Sequence, residues 1–123
     1  MQGARRMLDD DKLPNTPIVS SYINDDGMAK IINVFLDKIP KSIADLEANF
    51  TSANKDNFCK LVHQFKGAGG GYGFAIITKT AAGIEMKLRI SKKEWKEEIQ
   101  KNMDEFITVL QRVHAGRGLS GHT

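Results

Sequence analysis

The chain has little of what props up or anchors a protein from outside its own core. With one cysteine, Cys59, it has no partner for an intrachain disulfide, and a reducing compartment suits it best. Its three histidines, at 63, 114 and 122, fit no ligand spacing with that thiol, and neither Glu-x-x-His nor His-Glu-x-x-His occurs, which argues against a metal site. No stretch approaches the ~20 apolar residues of a membrane span. The basic start Met1-Gln2-Gly3-Ala4-Arg5-Arg6 is followed by no apolar secretory core, so the expected location is cytoplasmic, with no membrane contact. Runs of period 2, the mark of half-buried strands, are missing as well.

What remains is ordinary for one self-sufficient domain: 123 residues, 41% hydrophobic and 27% charged, enough to bury a core. The net charge of +3 is unevenly spread, because Asn54 to Ile90 carries six basic residues against Asp56 and Glu85. That local excess predicts an acidic partner surface at this segment. Without an Arg-rich arm or zinc-finger spacing, nucleic acid is not the expected partner.

Residues 1–17 mix charges without a period and contain Pro14 and Pro17, which reads as a flexible leader. Ile18, Tyr22 and Ile23 predict a short helical turn over one end of the core, and Asn24-Asp25-Asp26 an N-cap. From Met28, the positions Ile31, Ile32, Phe35, Ile39, Ile43, Leu46 and Phe50 step by three and four, which predicts a long amphipathic helix kinked between Leu36 and Pro40. Asn54 is the expected N-cap of a second helix, whose stripe is Phe58, Leu61, Val62, Phe65 and Ala68. A third shows Phe74, Ile77, Ala81, Ile84 and Leu88 along a narrow seam. Ser91-Lys92-Lys93-Glu94 reads as a capping box with Ile90 and Trp95 as its staple. The last helix then buries Trp95, Ile99, Met103, Phe106, Leu110 and Val113, with Trp95 as a core anchor and Gly116 as its stop. The pattern predicts an all-α, antiparallel four-helix bundle over residues 18–115 and a disordered tail over 116–123.

One stretch breaks the rules that the rest obeys. After His63-Gln64-Phe65-Lys66 come Gly67, Gly69, Gly70 and Gly71 within a helical pattern, although each Gly costs roughly 1 kcal/mol against Ala there. The run has neither the P-loop nor the dinucleotide-binding register, and it follows a helix, not a strand. At about 100° per residue, His63 lies roughly 150° from the buried stripe, facing solvent, with Gly67 and Gly70 beside it. A histidine cleared of neighbouring side chains is open to something large. On the next helix Thr78, Ala82, Glu85 and Arg89 form a small, polar stripe that suits the rim of such a site. Cys59, one turn before His63, could pair with the imidazole, but no oxyanion site accompanies it. An imidazole nitrogen is a nucleophile available near neutral pH, and phosphoryl transfer asks for little beyond positioning and charge stabilisation, which Lys66 is placed to give.

His63-x-x-Lys66-Gly67, with Gly73 ten residues after the histidine and the pair Ile84-Glu85, resembles the signature of histidine phosphotransfer (HPt) domains. The resemblance spans roughly Ile18 to Val113. It implies an HPt-like bundle in which His63 is the phosphoacceptor, Lys66 steadies the phosphoryl charge, and Glu85, often Gln in relatives, orients the imidazole. It further implies that Gly67, Gly70, Thr78, Ala82 and Arg89 dock a receiver domain of a response regulator or hybrid sensor kinase. The chain would relay phosphoryl groups between receiver aspartates as a monomer without a cofactor of its own, Mg2+ belonging to the receiver, and without autokinase activity. The alternative from another class is an unphosphorylated adaptor that holds a receiver or another acidic protein on the same basic face.

Overall fold

The computed structural model describes residues 17–22, 24–91 and 94–117. Five helices account for most of them: α1 (Asp26–Asp37), α2 (Ile39–Thr51), α3 (Lys55–Gly71), α4 (Ala75–Ile90) and α5 (Trp95–Ala115). Helices α1 and α2 are the long helix expected from the sequence, interrupted for the single residue Lys38, whose φ −88° and ψ −8° remain right-handed. Pro40 lies in the first turn of α2, where its missing N–H costs no intrahelical bond. The break therefore sits two residues before the proline and keeps the apolar stripe in phase.

Helices α2 to α5 pack in a closed ring, α2 on α3, α3 on α4, α4 on α5 and α5 back on α2, while α1 extends along α2 and α5. Short turns make sequential neighbours antiparallel, so this is a four-helix bundle whose first member is broken. The core is continuous through Ile32, Leu36, Ile39, Leu46, Phe58, Val62, Ile77, Ala81, Ile84 and Leu88, with every predicted position of α5 buried. Leu36 and Val109 join it unpredicted, whereas Ile31 is 48% exposed. At one end Trp95 meets the Phe50 ring edge-on at 5.8 Å and lies 5.5 Å from Phe58, the anchoring role expected of it. At the other, Phe35 stacks on Tyr72 at 4.7 Å and Phe65 meets Phe106 edge-on at 5.5 Å.

Helix ends follow local chemistry. The Asp25 carboxylate accepts from Gly27 and Met28 N–H, and the Asn54 side chain accepts from Asn57 N–H, each satisfying amides the helix leaves unpaired. The C-terminus of α3 closes with Gly73 at φ +82° and Phe74 N–H bonded to Gly69 O at 2.8 Å, a Schellman arrangement that needs a left-handed residue. Helix α2 ends in the same way, with Ala53 at φ +60° and Asn54 N–H on Asn49 O. No capping box opens α5: its N-cap is Glu94 with no side-chain cap bond, and the Ser91 hydroxyl is buried with no partner among the described residues. Nor is there a staple, since Ile90 is 72% exposed; Lys92 and Lys93 lie outside the described residues.

The helical turn expected around Ile18 to Ile23 is a non-helical segment ending in one hydrogen-bonded turn, Asp25 N–H to Tyr22 O; Ile23 itself lies outside the described residues. It works as a strap. Ser20 Oγ donates to Tyr72 O at 2.6 Å, Ser21 N–H bonds Gly73 O, and Ile18 N–H bonds Arg112 O. One segment thus covers the C-terminal ends of both α3 and α5, where carbonyls lack intrahelical donors. Gly116 ends α5 as expected, but as its C-cap at φ −82° and not as a left-handed C′ residue, so left-handed geometry is not its reason; a Cβ there would lie 2.8 Å from Ile18 O. Apart from Pro17, Gly116 and Arg117, the expected leader (1–17) and tail (116–123) fall outside the described residues.

The glycines of α3 have separate uses. Gly69 is buried against α4, and a Cβ on it would fall 2.5 Å from Thr78 Oγ1, 2.7 Å from Thr78 N and 2.9 Å from Phe74 O. A Cβ on Gly67 would meet nothing from the rest of the fold within 4 Å. Gly69→Ala should therefore force the hairpin apart and destabilise by about 1–3 kcal/mol, while Gly67→Ala should stabilise by roughly 1 kcal/mol. Urea unfolding of the two variants beside the wild type checks the pair, and equal shifts would contradict it.

Candidate functional site

The close approach at Gly69 sets how α3 and α4 lie against each other, and with it what their side chains can reach. The Thr78 hydroxyl donates to the backbone carbonyl of Lys66 at 2.8 Å, pinning the register one turn from the glycine. Two turns further along α4, Glu85 then stands opposite His63 and Lys66. Its carboxylate spans both: Oε2 is 2.7 Å from His63 Nδ1, and Oε1 accepts from Lys66 Nζ at 2.7 Å. The side chains grade from outside to inside, with His63 70% exposed, Lys66 36% and Glu85 16%.

This geometry has a chemical consequence for the ring. An ionised carboxylate only accepts hydrogen bonds, so the nitrogen facing it carries the proton. Glu85 stays ionised because the hydrogen bond from Lys66, ahead of that from His63, holds its carboxyl below the usual glutamate value, against the opposing effect of burial. The neutral imidazole is thereby fixed with Nδ1–H inward and the Nε2 lone pair free. Among the described residues nothing hydrogen-bonds Nε2.

Around the ring the wall is low. A notional Cβ on Gly67 would point into open space, and one on Gly70 would have only Thr78 Oγ1 at 3.8 Å. Ala82 is half-buried, Arg89 exposed, and Lys60 and Lys79 stand exposed on the same hairpin. Thr78 is on the rim, but its hydroxyl proton is committed to Lys66 O. Lys66, too, is engaged, by Glu85. Cys59 lines a depression of about 220 Å³ with Glu85, Leu88 and Arg89; burial raises its thiol pKa, outweighing the lowering by Lys55, and it forms no pair with His63. Among the described residues no group of three or more metal-ligand side chains gathers, and no helix is long and apolar enough to cross a membrane.

Sequence reasoning brought His63, Lys66 and Glu85 to one place but assigned them separate tasks, and the shared carboxylate was missed. Charge and spacing alone do signal it: three residues separate the two members on α3, and a seam in phase on both helices puts Glu85 across from them. The clasp of Gly69 on Thr78 left no such signal, since all four helical glycines look alike in the sequence.

Fold and site together define a helical bundle that displays a tautomer-fixed histidine on the outside of an antiparallel hairpin. The family model of the Hpt domain matches residues 30–116, more than half of the chain and all of this site. The chain belongs to the Hpt domain family, the phosphotransfer modules of two-component signalling systems, which interact with receiver domains. No curated protein and no solved structure matches it.

Because the native carboxyl is depressed, Glu85 stabilises the fold above the unfolded glutamate pKa and loses that contribution as pH falls through the native value. Replacing it by glutamine should cost about 1 kcal/mol at pH 7, the scale of a partly exposed ion pair. The wild-type advantage should shrink as pH drops below about 4.3. Denaturation curves for Glu85→Gln and wild type at pH 7 and at pH 3 measure this, and a gap that widens in acid would refute it.

Proposed function

We propose that the protein relays phosphoryl groups between receiver-domain aspartates, with His63 as the carrier. The observation that supports this best is the imidazole itself: exposed, flanked by bare backbone, and held through Nδ1 so that Nε2 faces outward. In the forward step the Nε2 lone pair attacks the phosphorus of an aspartyl phosphate. The phosphorus–oxygen bond breaks with its electron pair returning to the aspartate, and the ring becomes an Nε2-phosphorylated imidazolium whose Nδ1–H still donates to Glu85. In the return step a second aspartate attacks phosphorus and the pair goes back to Nε2. No proton has to move in either direction, which is what a fixed tautomer contributes.

Lys66 supplies the positive charge. Its ammonium lies one turn from His63, and on arrival of the phosphoryl group it would share its hydrogen bonds between Glu85 and a phosphoryl oxygen. Gly67 and Gly70 let the partner's acidic pocket come down to the ring, with Ala82, Thr78 and Arg89 at its margin. Magnesium would be brought by the receiver, where the acyl phosphate forms. In this reading the chain acts as a cytoplasmic carrier and has no autokinase role.

The test is transfer from a phosphorylated receiver in the presence of Mg2+. Wild type should acquire acid-labile label, His63→Gln none, and Lys66→Gln should be labelled on the order of a hundredfold more slowly. Binding of the receiver by wild type with no label on it would reject the relay in favour of a passive adaptor.

A further inference from the structure

Two large apolar side chains on α4 take no part in the core. Met86 is 62% exposed and Ile90 72%, the most exposed large hydrophobic residues among those described. A single such residue needs no explanation. These two, however, lie one turn apart on one helix face, with half-buried Ala82 a turn earlier. At about 100° per residue, Met86 points roughly 170° away from the buried seam of Ile77, Ala81, Ile84 and Leu88. It also directly follows Glu85, which grips His63. The apolar row therefore begins level with the imidazole and runs roughly 6 Å further to Ile90 at helical rise.

The charges of the hairpin beside it are mostly basic, with Asp56 in the first turn of α3 its one exposed acid. Lys79, Lys87 and Arg89 are exposed on α4 and Lys60 on α3, whereas Glu85 is already neutralised by Lys66. On the opposite flank of α3, Val34 is 52% exposed and borders a depression of about 230 Å³ with Phe35, Gln64 and Tyr72. That second apolar patch is on the far side from Glu85, since Gln64 projects about 100° from His63.

We propose that Met86 and Ile90 are the apolar half of the surface that receives the partner, and that they set which receiver domain binds. This rests on the relay reading of His63. The partner's side is specified by complementarity: an acidic pocket holding the phosphorylatable aspartate, to meet the basic hairpin, and next to it an apolar rim, to meet the row on α4. About 800 Å² per partner is buried in an ordinary specific complex, so a domain seated on His63 covers Met86 and Ile90 in the same footprint. Because any receiver must present an acidic pocket to the imidazole, the apolar rim is the part free to differ between partners.

Calorimetric titration of purified receiver domains separates the possibilities, with wild type, the double variant Met86→Gln and Ile90→Gln, and Val34→Gln. Glutamine keeps length and helix propensity, and matching circular dichroism melts verify folding. The double variant should weaken binding by about tenfold or more, as loss of a central apolar anchor does, and Val34→Gln should leave it within about twofold. A double variant that binds like wild type, a Val34→Gln loss of the same size, or no receiver bound by wild type would each overturn the proposal. The relay reading is tested apart from docking by phosphoramidate, a small phosphodonor that needs no protein surface. Label on wild type and none on His63→Gln keeps the relay even if the α4 row proves irrelevant. No label on either removes the relay, while the Kd comparison still decides the surface.

Discussion

The distance between α3 and α4 is the constraint from which the site follows. Gly69 has no Cβ, so Thr78 N and Phe74 O pack within what would be clash distance of one, and the Thr78 hydroxyl bonds across to Lys66 O. With the hairpin drawn in at that point, Glu85 arrives where it can hold an imidazole and an ammonium at once. A wider spacing would leave a carboxylate between two helices with neither partner in reach. Glycine in a helix is unfavourable by propensity, and here that local cost is offset by a contact that fixes the three side chains of the candidate site.

The shared carboxylate makes those three groups one electrostatic unit. Lys66 keeps Glu85 ionised, Glu85 keeps the proton on Nδ1, and the ring presents its other nitrogen. A neutral amide at position 85 could orient the ring equally well, but it would not hold Lys66 as an ion pair. Substitutions within the trio should therefore be coupled, as they are wherever residues share a partner.

Much of this was legible in the amino-acid order. Period 3 and 4 spacing is a direct image of burial, so α3, α4 and α5 and nearly all their core positions could be read; Asn54 declared itself as a cap, and Asn24-Asp25-Asp26 held the other, which proved to be Asp25. The exposure of His63 followed from the same arithmetic. What failed did so for physical reasons. Ser91 to Glu94 has the composition of a capping box, but Ser91 finishes α4 and its side chain is buried, which no local pattern conveys. Gly67 and Gly69 are identical letters with opposite circumstances, one in open space and one wedged against a backbone, and only the neighbouring helix distinguishes them. The left-handed Ala53 gave no warning either, because that conformation is usually announced by glycine or asparagine. The outward direction of Met86 follows from the same helical arithmetic that placed His63.

The strap over residues 18–22 bears on where the folded unit begins. The family match starts at residue 30, and a fragment trimmed to that point would retain all four helices of the ring and the histidine. It would also strip Ser20 from Tyr72 O and Ile18 from Arg112 O, unroofing the carbonyl ends of α3 and α5 together. The fold's own contacts thus reach further than its recognisable pattern: residues 18–22, ahead of the family match, act as a lintel, and the helix carrying His63 hangs from it.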